Sequence, residues 1–296
     1  MRQELTLLFT LLLLVSNLAG EFTPLVRKRV REVRLALVAT DQNNRPLPNL
    51  SPSDITVLDD GRPISHFELR SAADLPLRLG VVIDLSDSTR KSWGAVRSAL
   101  INSLEQALRP EDEILVLTFS NEIAMQRTLT DPKQLDATLQ SPKSGGLTAL
   151  YDSIYRTCDH NLFNTDDEPH RSAMILFSDG EDDLSRHSLN ETIAKAQLTG
   201  IAIYTLSNHN AKRTRPGDLV LRDLASTTGG RDFVVNNARD LQDALSAINS
   251  ELRSSYLLYY HPPDESAVRS FRRVFVVPTQ SNGSHLRLRT GYFTTP

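Results

Sequence analysis

Acidic and hydroxyl side chains are concentrated at three points of the sequence. Residues 84–88 (DLSDS) and residues 178–183 (SDGEDD) each follow an apolar run with the composition of a buried strand, and Thr148 follows the pair Gly145 and Gly146 at a predicted helix start. In an open α/β sheet, ligands bind at the carboxyl ends of strands, where the strand order reverses. Carboxylates and hydroxyls without imidazole or thiolate are typical ligands of a hard divalent cation. We therefore expect an oxygen-lined site for Mg²⁺, with Mn²⁺ as the other ion that these ligands suit.

The elements that must position these loops alternate between strands and helices from Leu77 onward. Strands are predicted at 77–84, 113–119, 172–178, 201–207 and 232–235, with a shorter and more polar strand after residue 121. Helices are predicted at 91–107, after residue 131, and at 148–158, 188–197, 218–227 and 240–252. This alternation predicts a doubly wound, Rossmann-like α/β domain with a mostly parallel sheet.

Segments with a strand pattern and no helix flank this region on both sides. VRLALVATD and ITVLDDGRPISHFEL precede it, and the second is predicted to be a hairpin that turns at Asp60 and Gly61. Three more, SSYLLYYHP, RRVFVVPT and SHLRLRTGYF, follow it. We expect the two termini to build a small β region together. The predicted organisation is a leader at 1–20, an N-terminal β region at 21–75, the α/β domain at 76–252 and C-terminal strands at 253–296 that pack with the N-terminal region.

Composition and the N-terminus exclude several classes of protein. The formal net charge of -3 is spread along the chain, so no nucleic-acid surface is expected. Cys158 is the one cysteine, which excludes intrachain disulfides, and we expect it to be half-buried on a helix. The apolar run at 5–15 has the length of a signal-peptide core and is too short for a membrane span. These features predict a secreted or periplasmic chain with no membrane span after cleavage. An uncleaved anchor stays open, because the basic residues at 27–31 would favour retention on the cytoplasmic side.

The three polar motifs together resemble the metal-ion-dependent adhesion site (MIDAS) of von Willebrand factor type A (VWA) domains. The resemblance rests on D-x-S-x-S after a buried strand, a Thr after a glycine-rich loop and an Asp-Gly after a later strand, and it covers residues 76–252. The flanking segments further resemble a group of secreted bacterial proteins that carry such a domain. The metal-site residues that this resemblance implies are Asp84, Ser86, Ser88, Thr148 and Asp179.

The resemblance also implies a function. In VWA domains mostly neutral oxygens hold the cation, and the Asp or Glu carboxylate of a protein partner completes its coordination. We therefore expect an exported, metal-dependent protein-binding or adhesion module that is not an enzyme. Two alternatives stay open. One is a hydrolase with a metal-activated water, for which Asp87 and Glu181 are the candidate bases; the other is a purely structural cation with binding through the β region.

Some of these residues allow more than one interpretation. Asp87 stands where the family commonly has a small residue, and it can either add to cation binding or cap the following helix. The acidic run at 181–183 can form a second cation site or a solvated surface before a helix. Helix capping is also the alternative to a metal site for the whole set. The members that precede predicted helices are Ser86, Ser88, Thr148 and Asp179.

Overall fold

The computed structural model describes the chain from Glu32 to Thr294 with short internal gaps. The residues outside the description are 1–31, 88, 90–92, 130, 132–133, 140–144, 165–168, 208–213, 264–269, 281–282 and 295–296. The predicted leader and Ser88 therefore lie outside the described residues. Among the residues that are described, no helix is both long and apolar enough to cross a lipid bilayer.

Strands and helices follow one another in nearly the predicted order. The described strands are β1 Val33–Thr40, β2 Ile55–Asp59, β3 Arg62–Pro63, β4 Phe67–Ser71, β5 Leu77–Asp84, β6 Glu113–Phe119, β7 Ile123–Leu129, β8 Arg171–Phe177, β9 Ala202–Ser207, β10 Asp232–Val234, β11 Tyr256–Tyr260, β12 Phe271–Pro278, β13 His285–Arg287 and β14 Gly291–Phe293. The described α-helices are α1 Trp93–Ala107, α2 Gln134–Thr138, α3 Leu150–Asp159, α4 Leu189–Thr199, α5 Pro216–Thr228 and α6 Ala238–Arg253.

The central sheet confirms the predicted doubly wound architecture. Its strand order is β10-β9-β8-β5-β6-β7, and every neighbouring pair is parallel except β6 and β7. Its strands are near-continuous apolar runs because helices cover both faces. On one face α1 and α6 pack over Val81, and on the other α3, α4 and α5 pack over Val82. Within this sheet the chain enters at β5 and adds β6 and β7 on one side. It then returns to add β8, β9 and β10 on the other side, so the strand order reverses between β5 and β8.

The remaining strands form two antiparallel four-stranded sheets in the orders β13-β1-β11-β4 and β14-β12-β2-β3. N-terminal and C-terminal strands pair directly, β1 with β11 and β2 with β12. The two sheets share one hydrophobic core, which includes Leu35, Val57, Leu258 and Val274. We call this pair of sheets the β region. The predicted domain boundaries at residues 20, 75 and 252 remain predictions.

Three local features differ from the sequence predictions. Asp60 and Gly61 do turn the chain, with φ of 47° and 77°, but β3 pairs with β2 over two residues only before the chain crosses to the other sheet as β4. The last predicted segment forms two strands, β13 and β14, in different sheets. Cys158 is fully buried in α3, and burial raises the pKa of its thiol to about 12. Alternation predicts a strand, but it does not show where a chain changes sheets.

Candidate metal site

Asp84 is the last residue of β5 and lies at the reversal point of the sheet. Its side chain is buried, and the residue is 3% exposed. Oδ1 accepts a hydrogen bond from the Ser86 amide at 2.8 Å, and Oδ2 accepts one from the Ser178 hydroxyl at 2.9 Å. Burial raises the pKa of Asp84 to about 6, although the hydrogen bonds from Ser86 and Ser178 act in the opposite direction; the charge of Asp179 raises the pKa further. These bonds hold the carboxylate in place without a basic partner among the described residues.

The loop after β5 folds back over the end of the strand. Ser86 is 2% exposed, and the Thr89 hydroxyl donates to the backbone oxygens of Asp84 at 2.8 Å and of Ser86 at 3.2 Å. These two bonds hold the loop against the end of β5. Ser88, the second serine of the motif, lies outside the described residues, so its position is not part of this geometry.

The glycine loop is bonded directly to the loop after β5. The Gly145 amide donates to the Leu85 oxygen at 2.8 Å, and the Asp87 amide donates to the Gly146 oxygen at 3.4 Å. Gly145 and Gly146 have φ of 109° and 94°, a region that glycine enters without steric cost. Thr148, two residues further on, is thereby brought to the same edge of the sheet, where it is 4% exposed.

Asp87 contacts the glycine loop, and its two roles considered above, cation binding and capping of the following helix, remain predictions because residues 88 and 90–92 lie outside the described residues. Its carboxylate is exposed, and Oδ2 accepts a hydrogen bond from the Gly146 amide at 3.3 Å. The described contacts of Asp87 therefore connect the two loops. They include no bond to α1.

Asp179 follows β8 and is 6% exposed. Its Oδ1 accepts a hydrogen bond from the Glu181 amide at 3.2 Å. Gly180 has a φ of 81°, and a Cβ atom there would lie 2.2 Å from the backbone oxygen of Gly217 at the start of α5. A Cβ on Gly217 would lie equally close to the Asp179 oxygen. The Asp-Gly motif thus lets two backbones touch, and a side chain at either glycine would displace Asp179.

The acidic run bonds to the start of α3 from a neighbouring loop. Asp183 Oδ2 accepts from the Thr148 amide at 3.1 Å, and Asp182 Oδ1 accepts from the Tyr151 amide at 3.2 Å. These carboxylates satisfy amides at a helix N-terminus, where negative charge is favoured. These bonds to the preceding helix were not predicted. Glu181 and Asp183 are exposed before α4, and the second cation site remains a prediction.

Helix capping does not account for Thr148 and Asp179. Helix α3 has Ala149 at its N-cap, with no side-chain capping bond. Helix α4 is capped by Ser188, whose hydroxyl accepts from the Glu191 amide at 3.3 Å. Among the described contacts, neither Thr148 nor Asp179 caps a helix. Helix capping therefore does not explain why these two residues lie at the sheet edge.

Ser178 belongs to the polar cluster at 178–183 but is not among the five predicted metal-site residues. It is 2% exposed, its hydroxyl donates to Asp84 Oδ2, and its Oγ accepts from the Gly180 amide at 3.0 Å. Ser178 therefore joins the two acidic clusters directly. Its position in the sequence could have identified it. Ser178 directly follows β8, and the ends of two neighbouring parallel strands such as β5 and β8 lie side by side.

The donor set fits a hard divalent cation. The described members of the predicted set supply two carboxylates and two hydroxyls, from Asp84, Asp179, Ser86 and Thr148. Within the described residues no group of three or more His, Cys, Asp and Glu side chains is suited to hold a metal. Oxygen ligands with few charges suit Mg²⁺ and Mn²⁺, which retain water. The structure brings the four residues to one edge of the sheet, and their role as ligands remains a prediction.

Comparison with known proteins identifies the fold. No protein-family model and no curated protein matches the chain. A von Willebrand factor type A protein from Catenulispora acidiphila aligns with a TM-score of 0.51 and 11% identity, over 91% of this chain and 75% of that one. Proximal thread matrix protein 1 of the mussel byssus, with a zinc-occupied MIDAS motif, aligns with a TM-score of 0.52 and 13% identity, over 64% of this chain and 49% of that one. At such identities the likeness concerns the fold alone: the chain has the fold of a von Willebrand factor type A domain.

Proposed function

We propose that the chain is a metal-dependent protein-binding module. Its cation is held by Asp84, Ser86, Thr148 and Asp179, together with Ser88 outside the described residues. The observation that carries the proposal is the pair of buried carboxylates at the sheet edge. Asp179 is close enough to raise the pKa of Asp84, and among the described residues neither carboxylate forms an ion pair with a basic side chain. Buried carboxylates require compensating positive charge, and a bound cation provides it.

The choice of ion follows from the donor oxygens. Two carboxylates and two hydroxyls leave room for water in an octahedral shell, which favours Mg²⁺ first and Mn²⁺ second. The MIDAS motif of the mussel protein holds zinc, so a motif of this kind accepts a divalent ion in that protein. The small size of the donor side chains supports an open position on the ion.

A bound cation supplies attraction for the Asp or Glu carboxylate of a protein partner. The chain's own residues set how strong that attraction is. Ser86 and Thr148 contribute neutral oxygens, so only Asp84 and Asp179 reduce the charge of the ion. The loops that carry these residues are bonded to one another, and they form the rim that a partner would meet.

We also propose that the module has no catalytic activity and acts outside the cytoplasm. A hydrolase would need a free base at the rim, and the first candidate, Asp87, already accepts the Gly146 amide. Glu181, the second candidate, is exposed, and its described contact with the site is made by its backbone amide and not by its carboxylate. Export rests on the leader, which lies outside the described residues.

Calorimetric titration of MgCl₂ and MnCl₂ into the chelator-treated full chain tests the metal. We expect about one ion per chain, and loss of binding in Asp84→Asn and in Asp179→Asn variants that keep the wild-type circular dichroism spectrum. Asp240→Asn is the matched control, because Asp240 accepts the Asn236 amide at 3.0 Å at the start of α6, after the edge strand β10 and two strands away from β8. A folded wild-type chain that binds neither ion would overturn the proposal.

Water-proton relaxation with Mn²⁺ separates an adhesion site from a structural cation. We expect bound Mn²⁺ to keep exchangeable water, and an Asp-containing peptide to displace that water. Bound Mn²⁺ without exchangeable water would indicate a closed site and would favour the structural alternative.

A further inference from the structure

Leucine side chains are exposed at the edge of the sheet that carries the candidate metal site. Within the described residues eight large hydrophobic side chains are 37–55% exposed, and three of them lie beside this site. These three are Leu147, Leu184 and Leu219, with 54%, 45% and 55% exposure. Single exposed leucines are common on protein surfaces, whereas several of them around one site indicate a contact surface.

Leu147 and Leu184 are held close together by the backbone of Thr148. Leu147 directly precedes Thr148, so their Cα atoms are about 3.8 Å apart. The amides of Asp183 and Leu184 donate to the Thr148 oxygen at 2.8 and 3.1 Å, and the Thr148 amide donates to Asp183 Oδ2 at 3.1 Å. These three bonds fix the loop after β8 to the loop before α3. Both leucines therefore lie next to the backbone of a predicted metal ligand.

Leu219 lies on the first turn of α5, which begins against Asp179. Gly217, two residues earlier, is so close to the Asp179–Gly180 backbone that a Cβ on either glycine would lie 2.2 Å from an oxygen of the other segment. On the helix, Leu219 lies on the side opposite to the buried Leu221 and Leu224, because successive residues are about 100° apart. Leu219 is therefore exposed close to the second predicted carboxylate ligand.

The fold itself does not explain leucines in these loops. Other exposed turns of the described chain consist of polar residues, such as DQNN at 41–44 and NN at 236–237. Apolar surface in contact with water is unfavourable, and it becomes favourable once another apolar surface covers it. Leu147 and Leu184 thus leave apolar surface open at the position where a partner would reach the cation.

The charges beside the site restrict the chemistry of such a partner. Asp87 and Glu181 are exposed, the first in the loop after β5 and the second two residues after Asp179. Their carboxylates would repel a partner that presents several acidic side chains. A single acidic side chain with apolar neighbours avoids this repulsion and can cover the leucines at the same time.

We propose that Leu147, Leu184 and Leu219 form a leucine patch that binds the apolar side chains on either side of a single Asp or Glu in a protein partner. This proposal rests on the proposed metal-dependent function, because the cation binds the carboxylate while the leucine patch binds its neighbours. The cation provides attraction for any accessible carboxylate. The leucine patch then determines which acidic segments bind tightly, since specificity is a difference between affinities.

Displacement of water from bound Mn²⁺ by two synthetic peptides tests the proposal. Both are acetylated and amidated pentapeptides with a central aspartate, flanked by leucines in one (Gly-Leu-Asp-Leu-Gly) and by serines in the other (Gly-Ser-Asp-Ser-Gly). Water-proton relaxation of the Mn²⁺-loaded full chain measures the displacement. We expect the leucine-flanked peptide to act at a concentration about tenfold lower, because its side chains bury apolar surface on the leucine patch.

Substitutions in the leucine patch identify the surface that recognises these side chains. A chain with Leu147→Ser, Leu184→Ser and Leu219→Ser should respond almost equally to the two peptides. Its Mn²⁺ affinity should stay within about twofold of the wild type, as is usual for surface substitutions. Leu198→Ser is the matched control and should keep the wild-type difference, because Leu198 is 44% exposed but lies beside the first residues of β8 and β9, at the opposite edge of the sheet.

The outcomes separate this proposal from the proposed function. Equal displacement by both peptides in the wild-type chain would overturn the leucine patch and leave the metal site intact. An unchanged difference between the peptides in the triple variant would overturn it as well. If neither peptide displaces the water, the proposed function is wrong and the leucine patch is overturned with it. The comparison in the wild-type chain decides the matter even if the triple variant does not fold.

Discussion

Asp59 in the β region and Asp84 in the central sheet are both buried at the end of a strand, with 0% and 3% exposure, but their surroundings differ. Asp59 accepts from Arg272 Nε at 2.7 Å and from the Tyr260 and Tyr292 hydroxyls at 3.0 and 2.9 Å. Asp84 accepts from a serine hydroxyl and a backbone amide. A buried carboxylate is stable when a positive charge compensates it. The β region provides that charge from its own sequence, whereas the described residues around Asp84 do not.

Replacing each aspartate with asparagine should give the largest difference between the two regions. Asp59→Asn leaves Arg272 buried without a counter-charge, so we expect a loss of about 3–5 kcal/mol in the free energy of unfolding. Asp84→Asn removes an uncompensated charge and keeps an acceptor oxygen, so in the metal-free chain we expect a change within about 1 kcal/mol. Urea unfolding in the presence of chelator measures both.

Saturating Mg²⁺ or Mn²⁺ should then make Asp84→Asn clearly less stable than the wild type. At a concentration of about 100 times Kd, the ion should stabilise the wild type by roughly 2.7 kcal/mol and the Asp84→Asn chain by nothing. Equal losses for Asp59→Asn and Asp84→Asn without metal would mean that a side chain already compensates Asp84. The observation behind the proposed metal site would then be lost.

Alanine at Gly180 and at Gly61 should give the next largest difference. Both glycines have a positive φ, 81° and 77°, but a Cβ on Gly61 would meet nothing within 4 Å, whereas one on Gly180 would collide with Gly217. We expect Gly61→Ala to cost about 1 kcal/mol from backbone strain alone. Gly180→Ala should cost roughly 1–3 kcal/mol more, because the clash adds to the strain.

Metal titration of the same two variants connects the clash to the site. Gly180→Ala should weaken Mg²⁺ and Mn²⁺ binding, since Asp179 must move with the backbone, and Gly61→Ala should leave binding unchanged. A destabilised Gly180→Ala chain with wild-type affinity would remove Asp179 from the ligands.

Alkaline pH should weaken the β region through its tyrosines. Burial raises the pKa of Tyr260 and of Tyr292, and the charge of Asp59 adds to the increase. A raised folded pKa stabilises the chain below the ordinary value of 10.0, and this stability is lost as the pH rises above that value. Each tyrosine that ionises only on unfolding should lower the stability by about 1.4 kcal/mol per pH unit.

The urea midpoint measured on both sides of that pH tests the tyrosine effect. Tyr292→Phe should reduce the loss of stability, because one ionisable phenol is removed from the core. Asp84→Asn should keep the wild-type pH dependence, since Asp84 belongs to the other region. If the Tyr292→Phe chain loses as much stability at alkaline pH as the wild type, groups other than Tyr292 cause that loss.

Local patterns in the sequence were sufficient to predict the central sheet and its helices. Near-continuous apolar runs identified β5, β6, β8 and β9, because strands covered on both faces have that composition. Helix α4 begins at a Ser188–Glu191 capping box and ends at Gly200, which has a φ of 71°, so its ends are encoded within a few residues. Once the α/β alternation is recognised, the carboxyl ends of β5 and β8 are predicted to lie at the same edge of the sheet.

Contacts between loops could not be predicted, because they depend on how separate elements approach. The bonds of Asp182 and Asp183 to α3 join residues more than thirty positions apart, and nothing in their spacing indicates them. In the β region, the ion pair of Asp59 with Arg272 forms because β2 pairs with β12. The alternation of apolar and polar residues predicts both strands, but it does not predict the register between them.

Asp87 should show the smallest effect. Its carboxylate is exposed, and an asparagine would keep an acceptor oxygen for the Gly146 amide while removing one negative charge from the rim. If Asp87 is not a ligand, Asp87→Asn should change the Mg²⁺ affinity by less than about threefold, as for other exposed charges. Calorimetry beside the Asp240→Asn control measures this change.

A tenfold or greater loss of affinity in Asp87→Asn would make Asp87 a third carboxylate ligand. A divalent ion facing three carboxylates has no net positive charge left, so it would not attract the acidic side chain of a partner. The metal would then compensate its own site as Arg272 compensates Asp59, and the structural-cation alternative would explain the site better. An affinity close to that of the wild type would leave two carboxylates on the ion, and Asp87→Asn should then strengthen binding of an acidic peptide because the rim is less negative.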